Sequence, residues 1–158
     1  MTTAETFDRH LPITGTMDYQ KMKRTVRPFV RVDDQAELPD DINGLYDAEL
    51  ETILIDRRLD DIQKRCTLVH ELFHWMHADT ACHVNGRSPA EARACTETAL
   101  FLVDPVGYVR AERAYDGEPF LMARELGVSV FVLESYRNVL ERDLSRRIAE
   151  AEGFDLHP

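Results

Sequence analysis

His70-Glu71-Leu72-Phe73-His74 is an HExxH pattern. Positions i and i+4 of an α-helix lie on one face, one turn apart, so imidazoles at 70 and 74 can aim nitrogens at one ion. Glu71 is displaced by one residue and falls beside that ion, not on it. Zinc in such a site lowers the pKa of a bound water to about 7, and the neighbouring Glu acts as the base that takes its proton. The plainer alternative is a helix that carries two His and a Glu by chance. The flanks argue against it: Thr67, Leu68, Val69, Leu72, Phe73, Trp75 and Met76 are uncharged. Two imidazoles and a carboxylate in an apolar helix are costly without a partner.

Catalytic zinc usually keeps three protein ligands and one open position. A His six residues beyond His74 would give the metzincin pattern, but that position is Thr80. A Glu from the following helix is the other common source. Glu91 begins that helix and Glu97 lies further along it, and spacing leaves both open. Glu91 also has a purely structural use, as the Glu of a capping box opened by Ser88.

These groups need elements to hold them. Leu59, Ile62, Cys66, Val69, Phe73 and Met76 recur at steps of three and four, which predicts a helix from Leu59 to Met76. Ser88-Pro89-Ala90-Glu91 predicts a second helix, with Ser at N-cap and Pro at N1, running to about Val103 before Pro105. Further helices are expected over Val106 to Tyr115, Glu118 to Leu126 and Ser129 to Ala151, with breaks at Gly117 and Gly127. Upstream, Val26 to Val32 reads as a strand. Gly44 to Asp47 and Thr52 to Asp56 read as a hairpin. Asp33 to Asn43 is an acidic loop. Thr52 to Ile55 is expected as an edge strand to which a peptide could add. Residues 1–25 are expected to be an N-terminal arm with one short helix, and 26–158 a single domain.

Composition narrows the function classes. The 19 Lys+Arg against 29 Asp+Glu give a formal charge of -10. Such a protein repels a phosphate backbone, so direct nucleic-acid binding is not expected. No charge-free stretch approaches the ~20 apolar residues of a spanning helix, so no membrane partner is expected. Met1 to Asp8 has no apolar leader segment, and three Cys make no paired framework. A reducing cytoplasm is the expectation.

From Thr52 to Leu140 the sequence resembles the ImmA/IrrE family of zinc metallopeptidases. The resemblance rests on an apolar strand ending in Asp56, a basic residue ahead of Thr67-Leu68-Val69-His70-Glu71, and a second helix of the form Glu91-x-x-Ala94-x-x-x-x-Ala99 leading to Leu102-Val103-Asp104-Pro105. Phage and actinobacterial members look especially similar, through Asp104-Pro105-Val106-Gly107-Tyr108, Ala111-Glu112 and Leu126-Gly127-Val128. The family implies an α+β, zincin-like fold, mostly helical with a small N-terminal sheet. It implies Zn2+ on His70, His74 and Glu91, with Glu71 as catalytic base. It also implies a protein substrate, a helix-turn-helix repressor encoded nearby. Two departures stand out. Phe73 replaces a small residue. Cys95 replaces an Asn or Asp, which would remove a partner of the HExxH histidines and lower metal affinity or activity. The rival reading is a zincin-fold binding module with a structural metal that sequesters its partner.

Other residues carry weaker signals. His77 is read mainly as a helix-end His, with a proton shuttle as the alternative. Cys82 and His83 match no common zinc spacing. Cys66 and Trp75 read as core. Tyr46, Tyr108 and Tyr115 are candidate oxyanion donors among which the sequence does not choose. The segment around Gly127 is similar to a helix-turn-helix, but Glu134, Glu141 and Asp143 interleave with Arg137, Arg142, Arg146 and Arg147, which suits solvated helix pairs.

Overall fold

The computed structural model describes residues 11–79 and 88–152. Among the described residues it is an α+β fold: three strands, β1 (Arg31–Ala36), β2 (Gly44–Asp47) and β3 (Thr52–Asp56), and six helices. These are α1 (Tyr19–Val26), α2 (Asp61–Met76), α3 (Pro89–Leu102), α4 (Pro105–Tyr115), α5 (Pro119–Leu126) and α6 (Val130–Ala151). No described helix is long and apolar enough to cross a membrane.

The strand expected over Val26 to Val32 begins later. Asp18 caps α1 by accepting from the Lys21 N–H at 2.8 Å. Tyr19, Met22 and Val26, at steps of three and four, are all buried, so helical periodicity claims Val26. β1 instead takes the first part of the expected acidic loop. It is an edge strand with a single buried residue, Asp34, which explains why no apolar run marks it.

The sheet order is β1-β3-β2, with β3 parallel to β1 and antiparallel to β2. β3 is therefore the central strand, contrary to its expected place at the edge. Its apolar run Ile53-Leu54-Ile55 is what burial from both sides demands, and Ile53 and Ile55 are fully buried. A peptide cannot add to it. Among the described residues, the outer strand on the hairpin side is β2.

α2 crosses the middle of the molecule. It starts two residues later than its periodicity suggests because Asp60 and Gln63 form a capping box. Leu68, Val69 and Leu72 anchor it in the core. Its Arg65 ties distant parts together, donating to the carbonyls of Gly15, Met17 and Gly127. The α5–α6 corner turns at Gly127, which is left-handed (φ 63°). Ser129 then caps α6 through the Val132 N–H.

Candidate metal centre

α2 and α3 bring three ligand atoms together. His70 Nε2 lies 3.1 Å from Glu91 Oε1. His74 Nε2 lies 3.2 Å from Glu91 Oε2 and 3.1 Å from His70 Nε2. Tetrahedral zinc with bonds of about 2.0–2.1 Å needs donor atoms roughly 3.3 Å apart, so the group is near the size that a zinc ion requires. Among the described residues, His70, His74 and Glu91 form the one group of three potential ligands.

The two readings of Glu91 separate here. Ser88 Oγ does cap α3, accepting from the Glu91 N–H at 3.1 Å. The Glu91 carboxylate, however, goes to the histidines and does not return to complete the box. Burial alone would raise its pKa, but the hydrogen bonds and charge of His70 and His74 hold it well below the usual range, so it is ionised at neutral pH. Glu97 is occupied elsewhere: both its oxygens lie 3.0 Å from His77 Nε2. That contact also gives His77 a structural role at the end of α2.

Glu71 is 3% exposed. Burial pushes its carboxyl up, opposed by the histidines and by a backbone hydrogen bond from Tyr46. Its Oε2 is buried and, among the described residues, has no hydrogen-bond partner. Leaving such an atom unsatisfied costs about 1–3 kcal/mol. That cost marks a site that fits a cation and a proton-carrying ligand. β2 reaches α2 this closely only because residue 44 is glycine: a Cβ there would collide with Thr67 Cγ2 and press on Glu71 Cγ at 3.2 Å.

The orienting partner of His74 is Asp79, which the sequence analysis does not single out. Asp79 Oδ2 lies 3.0 Å from His74 Nδ1. A carboxylate only accepts, so Nδ1 carries the proton and the lone pair of the neutral ring is on Nε2, facing Glu91. Arg93 holds both Asp79 oxygens at 2.7–2.8 Å. Burial raises Asp79's pKa, but His74 and Arg93 outweigh it and keep the carboxylate ionised. The turn that brings Asp79 back is a Schellman motif. The Asp79 N–H donates to His74 O and the Ala78 N–H to Trp75 O, at 3.0 and 3.1 Å. Ala78 takes the left-handed position (φ 52°) that usually belongs to glycine.

Cys95 contacts the Glu91 carboxylate. Its thiol donates to Glu91 Oε1 at 3.7 Å. Burial first, then the Glu91 charge and hydrogen bond, push that thiol up to about 12, so it remains protonated. Cys66 and Trp75 are buried core residues. None of the three tyrosines lines the cleft beside the site. Tyr108 donates to Glu112 and Tyr115 to Glu125, each at 3.2 Å; Tyr46 contributes its backbone. On α6, Arg146 and Arg147 both pair with Asp143, and Arg137 bonds Gly117 O and Glu134. Thr80, Cys82 and His83 lie outside the described residues.

Compared with protein-family models, curated proteins and solved structures, the chain matches none of them.

Proposed function

We propose that the protein is a zinc-dependent endopeptidase of zincin-like fold. The observation that carries the reading is the meeting of His70, His74 and Glu91 beside a buried Glu71 with one oxygen unpaired among the described residues. A hydrolytic site needs a base within reach of the attacking water, and Glu71 lines the cleft together with His70 and Glu91.

Zinc, when bound, supplies Lewis acidity that activates water and polarises a carbonyl. The remaining work falls to the chain. His70, His74 and Glu91 hold the ion, and Asp79, backed by Arg93, fixes the His74 ring. The Glu71 carboxylate accepts the proton of the attacking water and delivers it to the leaving amine. Among the described residues no strand pairs with the outer edge of β2, and away from Tyr46, whose N–H goes to Glu71, that edge can pair with an extended main chain, as strand addition requires. The resemblance to the ImmA/IrrE family extends the proposal to a helix-turn-helix repressor as substrate.

Glu71→Gln tests the reading. We expect it to retain zinc and the fold, and to slow hydrolysis of a substrate protein by about 10²–10⁴-fold. Full biological effect in that variant would replace the peptidase with a module that acts by holding its partner.

A further inference from the structure

The cleft beside the metal-ligand group measures ≈ 990 Å³, far more than an ion and a water occupy. Its floor is one face of α2: Asp60, Gln63, Thr67 and His70, spaced by three and four residues, all line it. At 1.5 Å per residue that floor runs about 15 Å from the ligands to the helix start. An extended peptide of about four or five residues covers the same distance.

The wall opposite is made by α5 and α6, and its chemistry is unusual for a surface. These helices bury Met122, Ala123, Val132 and Leu133 in the core. Yet Phe120 and Phe131 are 70% and 63% exposed, and both line this cleft. Ile62, at 40% exposure, lines it from the α2 side. Single exposed apolar residues need no explanation, but two exposed aromatic rings and an isoleucine lining one cleft are what an apolar binding surface needs. Thr98 also lines the cleft; it is 2% exposed, and among the described residues its Oγ1 has no hydrogen-bond partner.

We infer that this cleft is a selectivity subsite for an extended peptide. The peptide places a large apolar side chain between Phe120, Phe131 and Ile62, within about four or five residues of the cleaved bond. The inference rests on the peptidase reading for what happens at the metal, and on the cleft alone for what binds there. Extended peptide is favoured over other occupants because the cleft is continuous with the ligand residues His70 and Glu91 and with Gly44 at the start of β2.

The test uses full-length Glu71→Gln protein loaded with zinc, so that binding is read without turnover. Labelled peptides of about ten residues, built from Gly, Ser and Thr around one Leu, Phe or Ala, are titrated by fluorescence anisotropy. We expect the Leu and Phe peptides to bind about tenfold or more tightly than the Ala peptide. Phe120→Ser with Phe131→Ser should erase that preference while the thermal melt is retained, because both rings are in solvent. Ile62→Ser gives an independent reading from the other wall. Equal binding of all three peptides, or a preference that survives the double variant, overturns the inference. So does a dimer in sedimentation that the double variant dissolves. If the preference holds but zinc-loaded wild type cleaves none of the peptides and no candidate protein, the peptidase reading fails and the subsite stands.

Discussion

Around Asp34, every charged or polar group in contact finds its complement within the chain. Tyr19 donates its hydroxyl to Asp34 at 2.7 Å, Lys23 pairs with it at 2.8 Å and Gln35 adds its amide at 3.1 Å. Around Glu91 the logic is different. Two imidazole nitrogens and a carboxylate face one another at 3.1–3.2 Å, and Glu71 Oε2 alongside has no partner among the described residues. The first cluster is complete with protein atoms. The second is a set of electron-pair donors turned inward, an arrangement that is stable only with a cation or shared protons at its centre. Burial is common to both; what separates structure from site is whether the charges balance without a visitor.

The largest expected effect breaks the second cluster. His74→Ala should weaken zinc binding on the order of a thousandfold or more, read by competition with a chelating dye. The same change at Lys23 should leave zinc affinity untouched. Next comes Asp79→Ala, which should cost 10–100-fold in zinc affinity, roughly 1.4–2.7 kcal/mol, because His74 loses the group that fixes its tautomer. Arg93→Ala should move in the same direction by less.

The Asp34 cluster should respond to pH and not to metal. Burial on its own would raise the Asp34 pKa, but Lys23, Tyr19 and Gln35 hold it well below the usual carboxylate range. A folded pKa below the unfolded value gives stability that is fully present above about pH 5 and is lost as the pH falls through 4 and below. Asp34→Asn should therefore destabilise the protein by about 1–3 kcal/mol near neutrality, with the gap to wild type closing in acid. Urea melts at several pH values check this; a gap that widens in acid would reverse the sign. The smallest expected effect is at the turn that ends α2. Ala78→Gly should relieve the left-handed strain and stabilise the chain by up to about 1 kcal/mol, with zinc affinity retained.

Much of the site was readable because it is local. HExxH is a property of one helix, and Ser88-Pro89 marks the start of the next. Glu91 was harder, since its capping role and its ligand role place the same residue at the same position; only the direction of its carboxylate toward His70 and His74 separates them. Asp79 left no sequence signal, because it depends on one left-handed alanine turning the chain back by a single residue. The sheet shows the same limit. β3 was evident as an apolar run, but a run of that kind fits both a buried central strand and a covered edge. β1 was displaced because its one buried residue is an aspartate, satisfied by Tyr19 and Lys23 from α1, partners that no pattern within the strand discloses. Phe120 and Phe131 read as ordinary helix residues until α5 and α6 are placed across the cleft from α2.

The central claim is that the inward-facing donors of α2 and α3 hold one zinc ion. The most direct measurement is anomalous diffraction at the zinc edge from crystals of the zinc-loaded protein. The account predicts a single peak about 2.0–2.2 Å from His70 Nε2, His74 Nε2 and one Glu91 oxygen, with Glu71 outside bonding distance. A peak elsewhere, or no peak with the two rings turned apart, would contradict it.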